Sequence, residues 1–129
     1  MIYALDTHAI VWFVENDPRL SAPARTVMRN PANSFVVATM ALVEIKFLHS
    51  KGRITTDLAG VYQRFINSSN CAIHPLDEDV VSLIPTGLDI HDSIIVATAI
   101  FYRDVRQQPT TLITKDGKIT RSGLIQTLW

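Results

Sequence analysis

Short apolar segments alternate with longer, partly polar segments along most of this chain. The short segments are rich in β-branched residues and bounded by polar or turn residues, which is typical of buried β-strands. They are residues 2–5, 35–38, 71–76, 110–114 and an additional tail segment, 124–128. The segments between them predict helices at residues 9–14, 21–29, 40–49, 57–66, 77–84 and 92–102. This alternation predicts a three-layer α/β domain with a mainly parallel sheet of four or five strands.

Capping residues and prolines indicate where several of these helices begin and end. Ser21 precedes Pro23, a combination typical of a first helical turn. Thr39 and Asp77 are predicted N-caps of the helices that follow them, and Pro85 is expected to end the second. The predicted helix at 92–102 is apolar on nearly all sides, so we expect it to be buried.

Length and composition favour one globular domain spanning residues 1–129. The chain has 129 residues, of which 47% are hydrophobic, and this argues against disorder. Its single cysteine, Cys71, cannot form an internal disulfide, which fits a reducing cytoplasm. The start lacks the features of a secretory signal, and no apolar stretch is long enough to span a membrane.

Four acidic residues occupy positions where acids are less ordinary. Asp6 and Asp116 follow predicted strands, Asp92 opens the most apolar helix, and Glu44 interrupts an apolar helical stripe. Each of the four also has a purely structural explanation. Asp6 and Asp92 could be helix N-caps, and Asp116 could belong to an Asp-Gly turn. Glu44 could form a buried ion pair or lie at the solvent edge of its helix. Asp89, three residues before Asp92, is an alternative candidate.

Taken together, the four acids predict a metal site. Strand ends and helix starts meet at one edge of a parallel sheet, and carboxylates gathered there would repel each other without a compensating cation. Oxygen-only ligands suit Mg²⁺ or Mn²⁺. The chain has no Cys/His spacing typical of zinc and neither of the glycine-rich nucleotide-binding motifs.

At these positions the sequence resembles the PIN-domain ribonucleases, in particular the VapC-type toxins of bacterial toxin–antitoxin pairs. The matching segments are Leu5-Asp6-Thr7-His8-Ala9, Leu42-Val43-Glu44-Ile45, Asp89-Ile90-His91-Asp92 with the run at 94–99, and Leu112-Ile113-Thr114-Lys115-Asp116. No single segment is specific, but their order and spacing cover nearly the whole chain.

The resemblance implies a PIN-like fold and a Mg²⁺- or Mn²⁺-dependent endoribonuclease acting on structured RNA, such as tRNA or rRNA. The acidic quartet would be Asp6, Glu44, Asp92 and Asp116, and Asp89 would be an accessory acid. Thr7 and Thr114 match hydroxyl positions that orient the carboxylates or water. A small inhibitory antitoxin and a homodimer are the implied partners, with translation inhibited as the outcome.

Other conspicuous residues have simpler interpretations, and two other functions remain open. The four histidines are not expected to be ligands, and the aromatic residues of the helices, including Trp12 and Phe47, are expected in the core or a dimer interface. One alternative is a receiver-like phosphoacceptor domain, although Asp6 lacks the usual neighbouring acid. The other is a non-catalytic RNA- or partner-binding module whose acids only cap helices.

Overall fold

The computed structural model describes all 129 residues. Its five strands are β1 (Ile2–Leu5), β2 (Ser34–Ala38), β3 (Cys71–His74), β4 (Thr110–Ile113) and β5 (Gln126–Leu128). Its helices are α1 (Thr7–Val14), α2 (Ala22–Arg29), α3 (Thr39–Ser50), α4 (Leu58–Val61), α5 (Glu78–Ser82), α6 (Ile90–Ile100) and α7 (Gly117–Ser122). Helix α4 continues into a π-helical turn at Tyr62–Ile66, and α6 into another at Phe101–Val105.

All five strands are parallel, in the order β3-β2-β1-β4-β5. The central strand β1 pairs with both β2 and β4, so that Ala4 lies opposite Val36 on one side and Leu112 on the other. Because parallel crossovers are right-handed, the reversal of strand order at β1 places α1–α4 and α5–α7 on opposite faces of the sheet. This confirms the predicted three-layer α/β fold, with five strands.

The reversal also creates a crevice. Connections leave the carboxyl ends of β1 and β4 toward opposite faces, and ligands of open parallel sheets bind where strand order reverses in this way. The first residues after these two strands therefore border the crevice.

The core explains why the strands and the last long helix are so apolar. All four residues of β4 are buried, as are the last eight residues of α6, from Ser93 to Ile100. The main apolar cluster joins β1, β2 and β4 to α1, α3 and α6, and burying this area is the principal source of stability. Helix α6 is thus buried as predicted from Ser93 onward, while Ile90 and His91 in its first turn are exposed.

Two predicted helix starts are wrong. Thr39 is the first residue of α3 rather than its N-cap, because its hydroxyl donates instead to the backbone carbonyl of His74 (2.9 Å). Asp92 lies in the first turn of α6, while Asp89 holds the N-cap position without a side-chain capping bond. The caps at Ser21 and Asp77 are confirmed.

A hydrogen-bonded anchor holds the loop before α4 against the end of α1. Glu15 Oε2 accepts four hydrogen bonds, from the backbone N–H and the hydroxyl of both Thr55 and Thr56, over 2.8–3.2 Å. Burial alone would raise the pKa of Glu15, but these four donors outweigh it and lower the pKa. No helix of the structure has the length and apolar character needed to cross a membrane.

Candidate active site

A cavity of about 370 Å³ opens at the carboxyl edge of the sheet, in the crevice between β1 and β4. It is lined by Asp6, Thr7, His8, Trp12, Glu44, Asp92, Ile95, Lys115 and Asp116. All four acids predicted from the sequence therefore face one space, although they come from four separate parts of the chain.

Asp6 is fixed by the element that follows it. It is the N-cap of α1, and its Oδ1 accepts a hydrogen bond from the backbone N–H of Ala9 (2.9 Å). Its Oδ2 accepts from the hydroxyl of Thr114, a buried residue directly after β4. The capping explanation of Asp6 is thus correct, and the same carboxylate also lines the cavity.

Asp116 has the same arrangement on the neighbouring strand. It is the N-cap of α7, and its Oδ1 accepts from the backbone N–H groups of Lys118 (2.8 Å) and Ile119 (3.0 Å). The Thr114 hydroxyl, which donates to Asp6, accepts a hydrogen bond from the backbone N–H of Asp116 (3.0 Å). Thr114 therefore links the two strand-end carboxylates and sets their relative position.

Glu44 reaches the cavity from α3. Its Oε1 accepts a hydrogen bond from the Thr7 hydroxyl (2.6 Å), and its Oε2 lies 3.8 Å from His91 Nδ1. The expected apolar stripe around Glu44 is only partly buried: Ala41 lies in the core, whereas Phe47 is 58% exposed. Glu44 instead stands at the border between the core and the cavity, which is why a carboxylate is tolerated there.

Asp92 is the acid with the fewest local partners, and its side chain makes no hydrogen bond in the structure. Burial is the main cause that raises its pKa, to about 6, and the negative charges of Asp116, Glu44, Asp89 and Asp6 contribute to the same shift. Asp89 contributes to this field from an exposed position and does not line the cavity.

The pKa of Asp6 is also raised. Burial is the main cause, and the charge of Asp116 adds to it, while the hydrogen bonds from Thr114 and Ala9 and the charge of His8 oppose it. Two carboxylates with raised pKa values in one cavity indicate a surplus of negative charge, as expected of a site that takes up positive charge.

The donors fit Mg²⁺ or Mn²⁺ in kind. All four are carboxylates. Both carboxylate oxygens of Asp92, Oε2 of Glu44 and Oδ2 of Asp116 accept no hydrogen bond, so they are free to bind an ion. No three His, Cys, Asp or Glu side chains in the chain converge closely enough to hold one ion among them. As they stand, at most two of these carboxylates would therefore contact one ion directly, and water would fill the other positions, as is usual for Mg²⁺.

The sequence did not predict four of the residues that line the cavity: Ile95 from α6, and three with polar or aromatic side chains. His8 and Trp12 lie one helical turn apart on α1, with ring centroids 5.3 Å apart, and Lys115 immediately precedes Asp116. The only sequence signal was their closeness to Asp6 and Asp116. Trp12 was expected in the core or a dimer interface, and it does belong to the core while one side of it lines the cavity.

Strand order excludes one of the alternatives. Receiver domains have the flavodoxin-like order 2-1-3-4-5, with the first strand between the second and third. Here β1 lies between β2 and β4, and β3 lies at the edge of the sheet. A receiver-like phosphoacceptor domain is therefore ruled out by topology.

Comparison with known proteins gives likenesses in structure only. No protein-family model matches the chain, and no curated protein matches it in sequence. A chain of the VapBC2 complex from Rickettsia felis, bound to a DNA fragment from its promoter, has a TM-score of 0.68 at 18% identity, with 99% of this chain and 98% of that chain covered.

Two further solved structures are similar. A chain of VapBC-1 from nontypeable Haemophilus influenzae has a TM-score of 0.66 at 17% identity, covering 99% of this chain and 97% of that one. A chain of FitAB, bound to the IR36 DNA fragment, has a TM-score of 0.56 at 17% identity, covering 99% and 94%. Over its full length, then, this chain has the PIN-like α/β fold found in toxin–antitoxin complexes, as the sequence resemblance implied.

Proposed function

We propose that this protein is a Mg²⁺- or Mn²⁺-dependent endoribonuclease of the VapC-type PIN-domain class. The observation that carries the proposal is the convergence of Asp6, Glu44, Asp92 and Asp116 on one cavity at the strand-order reversal. The PIN-like fold supports it independently of the site residues.

The four carboxylates would bind the cation, and the neighbouring hydroxyl groups orient them. Asp6, Asp116 and Glu44 are restrained by hydrogen bonds, so their free lone pairs keep fixed directions toward the cavity. Thr7 and Thr114 set these directions, and Asp92 contributes an unrestrained carboxylate. A divalent cation bound here would lower the pKa of a water and offset the charge that develops on a phosphodiester oxygen.

RNA is the proposed substrate, with structured RNA such as tRNA or rRNA as its class. The sequence resemblance supports this choice, because the site chemistry would serve RNA and DNA alike. Setting aside the four cavity acids, eight acids remain against twelve basic residues, so the rest of the surface suits a polyanion.

The test is cleavage of a labelled pool of total tRNA and rRNA by purified protein with Mg²⁺ or Mn²⁺. We expect cleavage that EDTA abolishes and that Asp6→Asn reduces by at least about a hundredfold, since charge stabilisation of this kind contributes ~3–4 kcal/mol. Asparagine is as good an N-cap as aspartate, so the variant should fold normally.

Asp57→Asn is the matched control. Asp57 is also an N-cap, with its Oδ1 accepting from the Gly60 N–H (2.8 Å), but it lies outside the cavity. Full activity of Asp6→Asn, or of the wild type in excess EDTA, would contradict the proposal. A protein that binds RNA without cleaving it, and that Mn²⁺ does not stabilise, would be the non-catalytic binding module instead.

We further propose that the protein is the toxin of a toxin–antitoxin pair, acting in the cytoplasm to inhibit translation as a homodimer. The fold likeness to chains of the VapBC and FitAB complexes supports a small antitoxin as its partner. A short neighbouring gene for a DNA-binding protein whose product co-purifies with this chain and suppresses cleavage is the expected finding. Light scattering of the purified chain tests the dimer.

A further inference from the structure

A lysine stands among the carboxylates of the cavity. Lys115 lies between β4 and α7, on the connection that carries Thr114 and Asp116, and its side chain lines the cavity together with the four acids. Its backbone is held on both sides: the Thr114 N–H donates to the Leu128 carbonyl (3.2 Å), and Asp116 caps α7. The lysine therefore projects from a fixed base.

An aromatic ring supports the Lys115 ammonium. Its Nζ lies 5.8 Å from the centroid of the Trp12 ring, within the range of a cation–π contact. Trp12 is only 9% exposed and is held edge-on by Trp129, with ring centroids 5.7 Å apart. The ammonium is thus positioned beside the cavity by a ring that is itself fixed.

Lys115 is free of any counter-charge in spite of its surroundings. None of the four ion pairs in the chain includes it, although acids line the same cavity. The other cation over the Trp12 ring, Arg19 at 4.8 Å, is already paired with Asp17 by two side-chain hydrogen bonds. Of the two cations on this ring, only Lys115 has its charge available to a ligand.

A cation beside this acidic cavity would reduce the repulsion between the carboxylates and RNA phosphates. Four carboxylates repel the phosphate backbone of an approaching RNA, and one divalent cation would offset only half of their formal charge. A cation at the rim, unpaired and held in place, offers a phosphate a favourable contact beside the site of cleavage.

Resting on the proposed function, we infer that Lys115 is a substrate-binding residue whose ammonium takes an RNA backbone phosphate at the rim of the acidic cavity. Trp12 holds the ammonium in position. The contact is to phosphate and carries no base information, so it affects RNAs of different sequence alike.

The experiment measures RNA binding rather than cleavage. Asp6→Asn protein is used so that little RNA is cleaved during the measurement. It is titrated against two fluorescein-labelled RNA hairpins of different loop sequence, at several salt concentrations with Mg²⁺. In this background Lys115→Gln should weaken binding of both hairpins about tenfold and reduce the magnitude of the salt slope by about 0.7–1. Lys115→Arg should restore most of the affinity.

Lys51→Gln is the matched control, because Lys51 Nζ also lies over an aromatic ring, Phe47, at 4.5 Å, but outside the cavity. We expect it to leave the affinity and the salt slope nearly unchanged. A purely structural role of Lys115 on Trp12 would lower the melting temperature without changing the salt slope.

The outcomes separate this inference from the proposed function. An affinity and salt slope of Lys115→Gln equal to those of its parent would overturn the inference, even if the wild type is a metal-dependent nuclease. Undetectable RNA affinity in the parent would overturn it as well. If RNA binding depends on Lys115 but the wild type cleaves no RNA, the result would support this inference and contradict the proposed nuclease function.

Discussion

Replacing Asp92 by asparagine should stabilise the metal-free protein while destroying its activity. Asp92→Asn keeps the shape of the side chain and removes its negative charge. The folded state disfavours this charge mainly because it is partly buried, and also because the carboxylates of Asp116, Glu44, Asp89 and Asp6 repel it. A residue kept at the expense of stability is the pattern expected of a functional site.

The magnitude follows from the pKa shift. The pKa of Asp92 rises from 3.8 to about 6, and each pKa unit corresponds to ~1.36 kcal/mol, giving an upper value of about 3 kcal/mol. Because Asp92 is only half-buried, solvent screening reduces this to about 1–2 kcal/mol. In a chain of this size each kcal/mol raises the melting temperature by ~3–5 °C.

The pH dependence has a definite sign. A raised pKa in the folded state means that the folded protein holds the Asp92 proton where the unfolded chain has lost it, between about pH 4 and pH 6. Wild-type stability therefore falls relative to Asp92→Asn as pH rises through this window. The two proteins should match below it and differ by a constant amount above it.

The assay is urea unfolding of both proteins in EDTA from pH 3 to pH 8. Asp79→Asn is the control, since Asp79 also lies in the first turn of a helix but is exposed and does not line the cavity. It should be neutral or slightly destabilising through the helix dipole. An Asp92→Asn protein less stable than the wild type at pH 8, or equal to it at every pH, would show that the charge of Asp92 does not destabilise the fold.

Hydrogen bonds of Thr114 and of Glu15 organise the site and the fold, respectively. Thr114→Val leaves Asp6 Oδ2 and the Asp116 N–H without their partner, so we expect the free energy of unfolding to fall by about 1–3 kcal/mol and most RNA cleavage to be lost. Thr114→Ser keeps the hydroxyl and should behave nearly as the wild type. A fully active valine variant would argue against the role of Thr114 in linking the two carboxylates. Glu15→Ala removes the acceptor of four hydrogen bonds and should cost about 2 kcal/mol at pH 7 without changing metal-dependent cleavage per folded molecule. Because the pKa of Glu15 is lowered, this difference should shrink as pH falls below its ordinary value of 4.5, and a pH-independent difference would contradict it.

Much of the fold was predictable because parallel strands are buried on both faces. Such strands appear in sequence as short apolar runs without alternation. Asp6 directly follows the strand at residues 2–5, and Thr114 and Asp116 come soon after the strand at residues 110–113. A polar residue that ends a buried strand lies by geometry at the sheet edge. The sequence therefore predicts that Asp6 and Asp116 lie at this edge, but it does not predict that β1 and β4 are neighbours.

The errors come from partners distant in sequence. The Thr39 hydroxyl was assigned to a cap, but a carbonyl 35 residues away accepts its hydrogen bond. The apolar stripe that points to Glu44 is buried at Ala41 but exposed at Phe47, so the packing argument for Glu44 holds only in part.

Lys115 and Trp12 show the same limit within the site. Nothing in the local pattern indicates that a residue after β4 meets the ring of a residue on α1. Their contact exists because β1 and β4 are neighbours, a relation that only the assembled sheet provides.

We propose that Asp6, Glu44, Asp92 and Asp116 together form one site for a divalent cation, and a titration with Mn²⁺ shows whether this site exists. The signal of free Mn²⁺ in electron paramagnetic resonance decreases as the ion binds, so a titration gives the number of ions bound and their affinity without any RNA. We predict saturable binding of one or two Mn²⁺ ions that Mg²⁺ displaces, that Asp57→Asn retains, and that Asp116→Asn weakens at least about tenfold. Absence of saturable binding, or equal affinity in Asp116→Asn and Asp57→Asn, would contradict the claim.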